Sequence, residues 1–372
     1  MAATNFAALT EKQKIVWSRD TWSAARDQMF IKKFTGKSDN SLIQIITELT
    51  KTEKGERAIM QLVADLVEDG VVGDNQREGN EEAMQSYAQE ITIDLMSHQV
   101  KNKGKMAEQK TVIRFREHGR DKLAYWLANR IDQLAFLALS GVSFAYRNNG
   151  APRPSASPFP NLAFAADVQP LTAKRHLRWD ATSGLVAGDT TAVTSDDVLT
   201  YATIVDAMTY AKDHYVTPLR AEGKEYYVGL VKPGTLGQLK KDPDYQRAIT
   251  QALPRSKDHP WFTGATVTVD GLVLHEHRLV YSTHGAASGS KWGAGGNVDG
   301  TRTLICGAQA MGMCDLGPPD WVEEMFDYKT KQGISVDKML GMLVPRFFSI
   351  YDNSVETFGV VAIDHYLKGG TV

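Results

Sequence analysis

TRTLICGAQAMGM (301–313), EEMFDYKTKQGISVDKMLGML (323–343) and ETFGVVAIDHY (356–366) decide how this chain is read. The first reads as an apolar strand that switches to small residues. The second is a charged, turn-rich passage, and the third is a second apolar strand. None of the three carries a catalytic pattern. What is specific is their order.

Upstream, TVTVDGLVLHEHRLVY (266–281) is a strand, an Asp-Gly turn and a second strand, a strong hairpin signal. The Gly/Ser-rich HGAASGSKWGAGGNVDG (284–300) predicts a flexible loop. YYVGLVKPG (226–234) predicts a buried strand stopped by Pro233-Gly234, and 235–253 a helix in two parts around Pro243. Ser195-Asp196-Asp197 offers N-cap chemistry for a helix over 198–214. Residues 147–195, with APRPSASPFP at 151–160, predict irregular surface structure.

The N-terminal half has a different texture. Residues 11–34 alternate Ile15, Val16, Trp22, Met29, Phe30 and Phe34 with mainly basic residues, predicting an irregular amphipathic helix, either solvated or lying under a neighbouring subunit. Ala58, Met60, Leu62, Ala64 and Leu66 recur with the period of two that a strand requires, as do Tyr87, Ile91, Ile93 and Leu95. Between them, VEDGVVGDNQREGNEEAM (67–84) is polar and acidic, so 57–100 predicts a long hairpin. Nine residues of strand reach about 30 Å at ~3.3 Å each. A two-stranded ribbon is marginal alone, so it must rest on something. Leu123, Trp126, Leu127, Ile131, Leu134 and Ala138 then mark a strong helix, with Gly141 as its terminator and Gly119 as a possible kink.

Composition excludes several classes. With 42 Lys+Arg against 44 Asp+Glu the net charge is -2, and no global basic field advertises nucleic-acid binding. Cys306 and Cys314 are the only cysteines, which excludes a disulfide framework or a four-cysteine zinc site and predicts buried free thiols. The opening MAATNFAALTEKQK lacks a signal-peptide pattern, and no stretch approaches a membrane span. A soluble protein made in a cytoplasm is expected.

Candidate chemistry is thin. His275 and His277 project to one face of a strand, but no HExxH motif or cysteine pair completes a metal site. Ser288-Gly289-Ser290-Lys291 matches SxxK without its companion motifs. Asp242, Asp244 and Asp258 sit in a polar, Pro-interrupted stretch, and the seven tryptophans form no stacking platform. No catalytic, cofactor or metal residue is assigned. One charge asymmetry stands out: Glu68, Asp69, Asp74, Glu78, Glu81 and Glu82 at the hairpin tip, against a basic stretch including Lys101, Lys103, Lys105, Arg114, Arg116 and Arg120. These two sets suit either solvated surfaces or a head-to-tail contact between copies.

Taken in order, QKIVWSRDTWSAARDQMFIKKFTG (13–36), KGERAIMQLVADLVEDGVVGD (54–74), YYVGLVKPG, LICGAQAM, DYKTKQGI and FGVVAIDHY resemble the major capsid proteins of tailed bacteriophages, in the group related to the coliphage N4 major head protein. The resemblance covers about 15–366 and is weakest over 145–195. It implies an α+β Hong Kong 97-type capsid fold. Its expected parts are an N-terminal arm (1–55), an extended β-hairpin loop (56–104), a peripheral domain with a long spine helix (105–195 and 320–372) and an axial domain (196–319). It further implies a non-enzymatic protein of the virion, assembled in the host bacterial cytoplasm into pentamers and hexamers of an icosahedral shell around double-stranded DNA. The expected partners are other copies, the portal, scaffold, cement or decoration proteins, and packaged DNA without sequence preference; no membrane is involved. LVPRFFSIYDNS (343–354) departs from the more basic, glycine-rich link expected there. A non-viral encapsulin-type shell and a metal-dependent enzyme using His275 and His277 are the alternatives.

Overall fold

The computed structural model describes residues 20–26, 28–47, 55–63, 70–73, 76–78, 86–110, 115–221, 223–252, 267–349 and 352–368. It is organised by one long helix and two main sheets, an α+β arrangement.

The helix Phe115–Leu139 presents Leu123, Leu127, Ile131 and Leu134 at spacings of four and three, and all are buried. It runs unbroken through Gly119, where a Cβ would meet Ile334 at 3.4 Å; the glycine serves close packing and makes no break. Gly141 ends the helix in the left-handed region, φ 62°. Val142 N–H donates to the Leu137 carbonyl at 3.0 Å and Gly141 N–H to that of Ala138 at 2.9 Å, satisfying carbonyls the helix end would orphan.

The six-stranded sheet runs Thr35–Gly36, Ile43–Ile46, Met311–Asp315, Lys331–Leu343, Asp320–Phe326, with Asp94–Lys101 also paired to Lys331–Leu343. The turn-rich passage is thus a hairpin, Asp320–Phe326 with Lys331–Leu343, and its second strand is thirteen residues long. Its charges belong to a half-exposed face, which hid the alternation. The tip holds Asp327, Tyr328 and Lys329, all at positive φ.

The eight-stranded sheet runs Val267–Val269, Leu272–Glu276, Lys224–Val231, Gly300–Cys306, Val360–Tyr366, His176–Asp180, Gly184–Ala187, with Leu219–Ala221 beside Lys224–Val231. Asp270 (φ 47°) and Gly271 (φ 80°) make the expected tight turn. The opening stretch 301–313 is two strands rather than one, and they belong to different sheets. Gly300–Cys306 pairs with Val360–Tyr366, and Met311–Asp315 with Lys331–Leu343. The chain crosses between them in four residues, Gly307 to Ala310, and Gly307 N–H donates to the Gly359 carbonyl at 2.8 Å. A Cβ on Gly359 would lie 2.8 Å from Ala310 N, so the two crossings touch through glycine. The strand Val360–Tyr366 lies inside the eight-stranded sheet, between Gly300–Cys306 and His176–Asp180.

The ribbon forms as read over its described part, Arg57–Val63 antiparallel to Ser86–Thr92. Ala58, Met60, Leu62 and Ile91 are buried against Ile46, Cys314 and Leu343. Gly312 and Gly341 make room: a Cβ on the first would meet Met60 Sδ at 2.7 Å and on the second Ile91 Cγ2 at 2.9 Å. Leu95 departs from the expected face. The strand breaks at Ile93, and Asp94–Lys101 joins the six-stranded sheet with Leu95 exposed. Residues Arg346–Ser349 and Ser354–Thr357, the departing link, form a small hairpin.

Helix Tyr201–Asp213 is capped by Thr200, whose hydroxyl accepts from Thr203 N–H in a capping box. The expected cap residue Asp197 instead accepts from the amides of Thr194 (2.8 Å) and Ala181 (3.0 Å). Among the described residues no helix is long and apolar enough to cross a membrane. Cys306 and Cys314 are buried free thiols, and burial pushes Cys306 up to about 12.

Candidate assembly surfaces

The expected arm is, over residues 20–46, part of the subunit's own core: Ala25, Ile31, Leu42 and Ile43 are buried. Its anchor is Asp132, on the apolar face of the long helix. Asp132 Oδ2 accepts from Phe30 N–H at 2.9 Å and Oδ1 from Ile31 N–H at 3.2 Å. Burial raises the carboxyl to about 6, although the two amides pull it down. Trp22 adds a second hold, its ring 4.0 Å from the buried Lys338 Nζ, which also pairs with Asp315.

His275 and His277 do converge, but on aromatic rings. The His277 ring stacks on both Phe30 at 4.3 Å and Phe136 at 5.0 Å, and His275 meets Phe34 edge-on at 5.0 Å. Burial, then the charges of Arg278 and Lys33, lower His277 to about 4. Among the described residues no three His, Cys, Asp or Glu side chains gather to hold a metal ion. In the SxxK loop, Lys291 Nζ is committed to Asp299 at 2.7 Å.

The charged sets meet different fates. Arg116 pairs with Glu323 at 2.5 Å, an acid from the long hairpin that sequence did not single out. Arg120 pairs with Asp121 at 3.0 Å on the surface, and Lys101 Nζ sits 4.2 Å over the Phe326 ring. Lys103, Lys105 and Glu78 are exposed. Glu68, Asp69, Asp74, Glu81, Glu82 and Arg114 lie outside the described residues.

Sequence reasoning also missed a buried lattice between the closing strands. Arg302 and Asp364 face each other in register, with Nε to Oδ1 at 2.7 Å and Nη2 to Oδ2 at 2.8 Å. Arg302 Nη1 also donates to the Ser140 carbonyl at the helix end, 2.6 Å, and His176 Nε2 contacts Asp364 at 2.6 Å. Burial pushes the Asp364 carboxyl up, but Arg302 and His176 outweigh it and hold it low. A charge in the middle of each apolar strand was the available signal.

These surfaces describe a building block held together by buried polar clamps. A sequence profile described as phage capsid protein matches residues 5–368. The major capsid protein of Pseudomonas phage KPP25 is 52% identical over 364 residues, covering 97% of this chain and 96% of that protein. The capsid of Ralstonia phage GP4 superposes with a TM-score of 0.76 at 25% identity, covering 92% of each chain. The cyanophage Pam1 capsid superposes at 0.71 and 20% identity, covering 99% of this chain and 96% of that one. Neither a metal enzyme nor a non-viral shell is favoured by these likenesses. The chain belongs to the phage capsid protein family, as a major capsid protein of the virion with the Hong Kong 97-type fold.

Proposed function

We propose that copies of this chain close into an icosahedral shell of pentamers and hexamers around double-stranded DNA, with a structural role and no catalytic step. The observation that supports this reading is the ribbon. It buries one face on its own subunit and leaves Arg57, Ile59 and Gln61 exposed on the other. Among the described residues, neither of its strands has a partner in the larger sheets. Open strand edges invite pairing and are normally covered. A neighbouring copy is the natural cover, and residues 56–104 act as the extended loop that reaches it. Residues 1–55 are the arm in this reading, docked on its own subunit over 20–46, with 105–195 and 320–372 as the peripheral lobe around the long helix and 196–319 as the axial lobe. Portal, scaffold, cement or decoration proteins are further partners in this reading.

Within the contact, the tip acids Glu68, Asp69, Asp74, Glu78, Glu81 and Glu82 meet the basic segment of a neighbouring copy in head-to-tail fashion. Lys103 and Lys105 are the exposed members best placed to serve, because Arg116 is already engaged by Glu323. Negative-stain microscopy of the purified chain tests the whole reading. Closed shells are expected; tubes or small rings would refute it. Reversing the tip charges to lysine should block shell formation while leaving the subunit folded. Normal shells from that variant would remove the charged contact.

A further inference from the structure

Four arginines converge on one cavity of about 650 Å³ beside the long helix. Arg130 comes from the helix, Arg147 and Arg153 from the irregular segment that follows it, and Arg278 from the turn after strand Leu272–Glu276. The floor is built. The Arg153 guanidinium carbon lies 4.7 Å from the centre of the Phe159 ring and that of Arg130 lies 5.8 Å from it. Arg153 Nε donates to the Phe144 carbonyl at 2.9 Å, and Arg130 Nη1 to Gln133 at 2.6 Å. Asn148 ties the three segments together, its amide donating to the carbonyls of Gln133 (3.1 Å) and Leu279 (2.8 Å). Arg147 and Arg278 are exposed at the rim.

What the cavity lacks is an anion. No aspartate or glutamate lines it, and among the described residues none of the four guanidiniums forms an ion pair. Arg153 Nη2 is buried with no hydrogen-bond partner. Burial, then the like charges of Arg130 and Arg147, lowers the Arg153 guanidinium to about 10. Two half-buried guanidiniums, Arg130 and Arg153, without a counter-ion and beside two like charges at the rim are costly in an isolated subunit. The chain as a whole is net negative, so the cluster is a local arrangement and no by-product of a basic surface.

We propose that Arg130, Arg147, Arg153 and Arg278 form a binding pocket for backbone phosphates of the enclosed nucleic acid. The guanidinium fork matches phosphate oxygens bidentately, and the four forks converge with no carboxylate among the lining residues. A nucleic-acid strand carries one charge per nucleotide. The acidic stretch 67–84 carries six acids and an arginine over eighteen residues, too dilute to match four clustered guanidiniums. This inference rests on the reading that the shell encloses DNA. The pocket reads no sequence, because phosphate contacts position without specifying.

The test uses the purified full chain, R147Q/R278Q at the rim, and R278E as an independent variant whose side chain is exposed. Fluorescence anisotropy with short labelled duplexes of two unrelated sequences is measured across a salt series. Losing two phosphate contacts should flatten the log–log salt slope by about 1.8 and weaken both duplexes equally. Unchanged slope and affinity in both variants would overturn the pocket while leaving shell formation, followed by microscopy, intact. Loss of assembly with DNA binding retained would place a neighbouring copy's acidic segment there instead, and would also overturn it. So would a shell reconstruction with Arg147 and Arg278 on the outer surface. A wild-type chain that assembles but binds no DNA at low salt would overturn the DNA-enclosing reading and the pocket together.

Discussion

Replacing Asp132 with alanine should loosen the N-terminal segment from the long helix, and do so more at acid pH than at neutral pH. The substitution leaves the Phe30 and Ile31 amides buried without an acceptor, at about 1–3 kcal/mol each. At neutral pH that loss is partly offset. A carboxyl raised from 3.8 to about 6 is ionised at a cost of roughly 3 kcal/mol, which alanine removes. The folded value lies above the unfolded one, so the stabilisation from Asp132 is complete below about 3.8 and is lost as pH rises through about 6. Between those limits the gap between wild type and D132A should widen by up to about 1.4 kcal/mol per unit of acidification. The nearby His277 titrates in both proteins and largely cancels in the difference. Denaturant unfolding of dissociated subunits at pH 7 and pH 5 measures the gap, and hydrogen exchange reports the two amides directly. Equal gaps at both pH values, or undiminished protection of Phe30 and Ile31, would refute the reasoning.

Other outcomes follow from the same geometry. His277→Phe should keep the stacking on Phe30 and Phe136 and abolish a loss of stability. That loss begins in the wild type below about 6.5 and grows as pH falls through about 4, and acid titration of unfolding would reveal it. Gly341→Ala drives a methyl into Ile91 and the Thr92 carbonyl, so it should cost about 1–3 kcal/mol and expose the ribbon to protease. Arg302→Met should cost about 3–5 kcal/mol by stranding the buried Asp364, whereas R302M/D364L should recover most of it, as read by thermal unfolding.

The sequence revealed what period and turn chemistry control. Ala58, Met60 and Leu62 announced the buried face of the ribbon, Asp270-Gly271 the tight turn between Val267–Val269 and Leu272–Glu276, and Gly141 the end of the long helix. It hid what depends on distant partners. Lys338 reads as a surface charge until Asp315 and Trp22 surround it. Asp132 carries no local sign that amides a hundred residues earlier donate to it. The strand Lys331–Leu343 looked like turns because its solvent face is charged, and the split at Gly307 looked like a run of small residues inside one strand. Arg130, Arg147, Arg153 and Arg278 are scattered along the chain, and only folding makes them neighbours.

The crossing from Gly307 to Ala310 carries a mechanical consequence. A pull that separates the two sheets along the strand axis is resisted by covalent backbone through these four residues. From there it passes as shear into the seven paired positions between Gly300–Cys306 and Val360–Tyr366. Shear strains all those hydrogen bonds together, whereas a sideways pull would peel them one at a time. Bending at this place is opposed as well: the crossing is buried, with Ala308 N–H donating to the Thr217 carbonyl and Gln309 N–H to that of Ser41, each at 2.8 Å. The two sheets are therefore joined by a short link held on three sides, so a load taken up by one passes to the other without slack.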